Sequence, residues 1–193
     1  MVYEKAKEIL KLGFSDFDRK VNQTDAYLSS YPRLLEATKA LLREMGTAAI
    51  CPIAHLAYGW MPRILTFRSN EKTNALLFEA SYTDSLRSAE LLVGSLRTLP
   101  TNNSMVGVSK VLHFMNPHFY PIWDSVVADT FGVKGKKLQM DTTLYKKYLF
   151  FVHEQHHGDA VPFVKKRVAD MFKYDISDTR AVELLLFVVS KKI

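Results

Sequence analysis

The sequence predicts an all-α protein. Apolar residues recur three and four positions apart through most of the chain, and glycines, prolines and capping side chains punctuate those runs at helix-like intervals. The strongest strand-like signals are short runs such as Val126-Val127 and Phe187-Val188-Val189. About eight to ten helices account for the pattern. At 193 residues the chain forms a single helical domain, or two packed helical subdomains with an active cleft between them, and buries about 70% of its unfolded surface.

Residues 2–12 set Ile9 and Leu12 among Lys and Glu and make a short amphipathic helix that ends at Gly13. Residues 14–22 carry no clear pattern. Thr24-Asp25 offers a cap, and Tyr31-Pro32 opens a helix that runs to Met45 and stops at Gly46, with Leu34, Leu35, Leu41 and Leu42 on one face. Residues 48–60 are apolar and form a buried helix started or kinked at Pro52. Gly59 and Pro62 turn the chain and present Trp60 and Met61 beside Arg63, either as core or as a surface on which an extruded base stacks. Residues 71–97 make one long helix or two joined near Asp84, and 99–103 form a turn.

Unusual chemistry concentrates in residues 104–129. Ser104 caps a helix, Gly107 loosens its start, and Val108, Val111, Leu112 and Met115 recur at helical spacing, so Lys110 rides near the start of that helix. Pro117 and Pro121 then force an extended connection. Asp124 follows Ile122-Trp123 at the start of a second helix, over about 124–131, where it is both an N-cap and an acid. A lysine amine is a nucleophile when burial or neighbouring charge favours its neutral form, and an aspartate beside it takes protons or stabilises a developing cation. The plain alternative is a surface lysine and a capping aspartate.

The wording Gly-Val-Ser-Lys-Val-Leu-His-Phe (107–114), then Tyr-Pro-Ile-Trp-Asp-Ser-Val-Val-Ala (120–128), resembles the helix-hairpin-helix DNA glycosylases, in particular their 8-oxoguanine DNA glycosylase branch. That family usually reads Gly-Val-Gly-x-Lys at its hairpin, and here the second glycine is Ser109. The resemblance implies a helical 8-oxoguanine-glycosylase-like domain with a helix-hairpin-helix-like element, acting in base excision and DNA repair. It implies Lys110 as Schiff-base nucleophile, Asp124 as its assistant, and DNA phosphates held at Gly107 and Ser109. Lys134, Lys136 and Lys137, on a glycine-loosened loop, suit further phosphate contacts. Trp60, His113, Tyr120 and Trp123 are the base-pocket candidates. A non-catalytic DNA-binding or interaction module that retains the glycosylase fold remains the alternative.

Composition narrows the classes. The net charge of +6 fits a polyanionic partner, and residues 101–193 hold 13 basic against 9 acidic side chains. The single cysteine, Cys51, excludes both an internal disulfide and a four-cysteine iron–sulfur cluster. Nothing resembles a signal peptide or a membrane span, so a cytoplasmic protein with no membrane partner is expected. The helix over about 142–157 ends in His153, His156 and His157, which offer a metal-dependent hydrolase as a third reading but lack the His-Glu-x-x-His spacing. No metal and no small-molecule cofactor is therefore expected. Helices over about 160–174 and 178–191 complete the chain, the last of them deeply packed.

Overall fold

The computed structural model describes residues 3–60, 65–96, 98–135 and 141–191. Eleven α-helices are present among them. They are α1 (Glu4–Leu12), α2 (Phe14–Lys20), α3 (Ala26–Met45), α4 (Ile50–Gly59), α5 (Glu71–Glu79) and α6 (Leu86–Ser95), followed by α7 (Met105–Met115), α8 (Ser125–Thr130), α9 (Thr142–Glu154), α10 (Ala160–Phe172) and α11 (Asp178–Ser190). The fold is all-α; the described residues hold no strand, only an isolated bridge between Phe67 and Thr101. No helix among them is long and apolar enough to cross a membrane.

Two helices form the interior. Every residue of α7 from Gly107 to Met115 is buried, and α11 is buried from Thr179 through Leu186. A helix apolar on one stripe faces water on the other, so burial on all sides means that other helices enclose it. The α7 helix packs against α3 and α4, while α11 packs against α1, α2, α8, α9 and α10. Lys20 of α2 donates to the carbonyls of Val189 and Lys191 at 2.7 and 2.8 Å, placing a cation on the C-terminal end of α11.

Most boundaries follow local signals. Asp25 caps α3 through the Leu28 amide and Gly46 ends it at φ 56°, while residues 71–97 divide into two helices joined by a 3-10 turn. Pro32, however, lies inside α3 rather than opening it. A proline there cannot donate to the carbonyl four residues back. The Tyr174 hydroxyl supplies the missing bond, donating to Leu28 O at 2.7 Å across 146 residues.

Candidate functional site

The segment joining α7 to α8 is not helical, and Asn116 and residues 120–123 within it are buried, so its carbonyls need partners from elsewhere. Six consecutive ones are bonded by side chains. Ser177 donates to Pro117 O at 2.6 Å, Thr179 to His118 O at 2.5 Å and His153 Nε2 to Phe119 O at 3.0 Å. His113 Nδ1 then reaches Tyr120 O at 2.7 Å, Tyr145 Pro121 O at 2.9 Å and Tyr148 Ile122 O at 3.2 Å. Ser109 closes the series: its hydroxyl accepts from Trp123 N at 3.0 Å and shares its proton between Val106 O at 3.0 Å and Trp123 O at 3.3 Å. This last contact joins α7 directly to the connection, so the residues following each partner, Lys110 and Asp124, are delivered to the same place.

Four charged side chains meet there. Lys110 is 7% exposed, Arg180 3% and Glu183 1%, and Asp124 caps α8 by accepting from Val127 N at 2.8 Å. Arg180 and Glu183 form an ion pair one turn apart on α11. Burial raises the Asp124 pKa, against the opposing pull of the Val127 amide and of the Lys110 and Arg180 charges. Burial likewise raises that of Glu183, against Arg180 and Lys110 and reinforced by Asp124. Each carboxylate therefore feels Lys110. Two cations and two carboxylates oppose one another, with Lys110, Arg180 and Glu183 buried and Asp124 half-buried, where charges act on one another more strongly than at an open surface.

Aromatic rings frame the cluster. The Arg180 guanidinium lies over Tyr31 at 5.0 Å and Trp60 at 5.6 Å, both within cation–π range, while its Nε finds no acceptor among the described residues. Tyr31 pairs with His113 Nε2 at 2.8 Å. Since His113 Nδ1 must donate to the Tyr120 carbonyl, Nε2 accepts from the tyrosine and the ring is neutral. Burial, helped by Arg180, lowers the His113 pKa to about 3. A depressed histidine contributes stability that is complete above its unfolded pKa near 6.5 and is lost as pH falls toward 3. Urea denaturation of the parent and of His113→Gln at pH 7.5 and 4.5 should differ in their pH dependence by on the order of 2 kcal/mol. Equal dependence would mean that His113 is not held neutral.

The sequence-predicted residues divide into those that converge and those that do not. Lys110 lies in the middle of α7 rather than at its start, and Ser104 is the N-cap residue without a side-chain cap bond. Gly107 and Ser109 have no surface from which to grip a phosphate: both are buried, and the Ser109 hydroxyl is spent on the connection. Gly107 marks a close approach instead, because a Cβ there would stand 2.3 Å from the Tyr58 hydroxyl and 2.6 Å from Thr101 Oγ1. Glycine to alanine inside a helix ordinarily gains about 1 kcal/mol, whereas overpacking costs about 1–3 kcal/mol. The contacts decide the sign, and Gly107→Ala should be destabilising in a thermal melt.

His113, Tyr120 and Trp123 are fully buried, and Trp60 is half-buried at the end of α4. Only Trp60 of the four base-pocket candidates has a face near solvent, lining an apolar groove of about 840 Å³ between α3 and α4. Lys134 is exposed and pairs with Asp129 at 3.3 Å; Lys136, Lys137, Met61 and Arg63 lie outside the described residues. His153 is committed to the Phe119 carbonyl and His156 Nε2 to Thr179 at 3.1 Å. No group of three metal-ligating side chains occurs among the described residues. Sequence reasoning missed Tyr31, Arg180 and Glu183. The signal for the last two was an Arg at the head of the otherwise apolar run 181–189 and a Glu three residues on, inside it.

A family model matches residues 69–183, and its description is a family of unknown function, DUF6308. The matched span holds all four charged residues of the cluster. No curated protein and no solved structure matches the chain.

Proposed function

Since the chain belongs to the DUF6308 family, whose function is unknown, we propose from its own residues that it is a DNA glycosylase-like enzyme of the helix-hairpin-helix type, acting through Lys110 and Asp124. One observation carries the reading: a lysine and an aspartate on different elements share a buried, charge-balanced cluster, their two segments joined by the Ser109 hydroxyl. The sequence resemblance adds the substrate class. An extruded nucleotide brings its sugar carbon C1′ to the neutral Lys110 amine. The new C–N bond forms as the glycosidic bond breaks, its electron pair leaves with the base, and the proton shed by the amine passes to Asp124. Asp124 suits that role because burial raises its proton affinity while its N-cap bond fixes its direction. The net charge of +6 and exposed lysines such as Lys134 support a phosphate-bearing partner.

The near-complete burial of Lys110 favours a second reading, a DNA-binding module whose charge cluster serves stability alone. Borohydride reduction separates the two. Duplexes carrying 8-oxoguanine, uracil or an abasic site are incubated with the protein and reduced, and a covalent band is sought. The enzyme reading expects a band that disappears in Lys110→Gln while DNA affinity changes little, since one cation among several is a minor loss. Salt-sensitive binding with no band on any duplex would favour the module.

A further inference from the structure

We propose that the Nε edge of Arg180 is a recognition site for a flat, uncharged ring bearing a carbonyl oxygen, and that the Trp60 indole occupies the place this ring takes. The inference deepens the glycosylase reading, on which it rests for its biological setting, by naming the kind of base that is held and the residue that reads it.

The first observation is an unsatisfied donor. Arg180 is 3% exposed, its Nη1 donates to Glu183 one turn along α11, and its Nε is buried with no acceptor among the described residues. A buried N–H without a partner carries a free-energy penalty that a fitting acceptor removes. Glu183 already matches the guanidinium charge, so the Nε lacks an acceptor rather than a second counter-ion. A carbonyl oxygen supplies one without bringing an unpaired charge into the interior. The second observation is the shape of the surroundings. The guanidinium lies 5.0 Å from the Tyr31 ring and 5.6 Å from the Trp60 ring. Tyr31 is 1% exposed and held by its bond to His113. Trp60 is half-buried at the end of α4, its ring centroid 5.2 Å from Phe114 and 6.3 Å from Tyr31, and its indole N–H donates to Tyr27 O at 3.2 Å. An indole presents a π-face and a donor to its neighbours, never an oxygen lone pair. Trp60 also lines the apolar groove of about 840 Å³ between α3 and α4, where Leu34, Leu41 and Leu56 can receive the indole once it turns away from Arg180. The space it vacates has aromatic walls suited to one flat ring and the Nε–H beside it.

The test uses free bases, so that it depends neither on DNA nor on Lys110. Hypoxanthine and purine share one bicyclic frame, and only the first carries a ring carbonyl. Each is titrated into intact isotope-labelled protein, with inorganic phosphate as the anionic probe, and the indole N–H signals of the two tryptophans are followed by NMR after assignment with Trp60→Phe. The expected result is a saturable movement of the Trp60 signal with hypoxanthine, binding weaker by about tenfold or more with purine, and no movement with phosphate. The signal of Trp123, which is fully buried, should stay in place. Equal affinity for the two bases, no saturable movement with hypoxanthine, or tighter binding of phosphate overturns the inference. Arg180→Met combined with Glu183→Leu removes the donor without stranding a buried charge and should bind both bases alike; a retained preference for hypoxanthine in that variant overturns the inference too. Should the double variant fail to fold, the comparison of bases on the parent decides. Absence of a covalent band with DNA, by contrast, would count against the chemistry assigned to Lys110 and leave the comparison of free bases intact.

Discussion

Replacing Glu183 with alanine is expected to lower the unfolding free energy by about 3–5 kcal/mol, read as a shift in the urea midpoint and as a Tm lowered by roughly 10 °C or more. The cost comes less from losing an attraction than from leaving the Arg180 guanidinium charged and buried, with its Nε already lacking an acceptor among the described residues. Arg180→Leu should be similarly damaging, because it strands the carboxylate. Removing both charges together is a different experiment. Replacing a buried pair by apolar residues of similar volume is often neutral or stabilising, so Arg180→Met combined with Glu183→Leu should recover most of the loss. A single-substitution cost below about 1 kcal/mol would place the pair in contact with water and contradict its burial.

The second large effect concerns chemistry at nearly constant stability. On the proposed glycosylase reading, Asp124→Asn is expected to slow single-turnover formation of the reduced protein–DNA adduct by about 10²–10⁴-fold, the range for loss of a positioned proton acceptor. Asparagine caps a helix as well as aspartate does, so the bond to Val127 N persists and unfolding should move by no more than a few tenths of a kcal/mol. Asp124→Ala removes both functions and should add about 1 kcal/mol of destabilisation to the same rate defect. Equal rates for parent and Asp124→Asn would reduce Asp124 to a structural cap.

Helices were legible wherever their ends carry local punctuation. Gly13, Asp25, Gly46 and Asp124 stand at boundaries that side-chain chemistry alone predicts. Pro32 misled because its exception depends on Tyr174, a partner no sequence window contains. The site divides in the same way. Lys110 and Asp124 are recognisable from one short stretch, whereas Arg180 and Glu183 arrive from α11 and look like an ordinary i,i+3 surface pair until that helix is known to be enclosed. Ser109, expected at a phosphate, instead ties α7 to the connection before α8. A hydroxyl in sequence gives no hint whether it faces water or an unpaired backbone group, and that choice is made by packing.

The position of α11 also constrains the order in which the molecule can form. The first two helices rest on a helix synthesised well after them, and α3 completes its hydrogen bonding only with Tyr174. During synthesis, α1 and α2 therefore leave the ribosome without the surface they will bury, and short helices alone are marginal in water. Long-range closure of this kind slows folding and exposes apolar faces to chance partners while it is pending. The same helix that carries the charged pair is thus the step on which the docking of α1 and α2 waits.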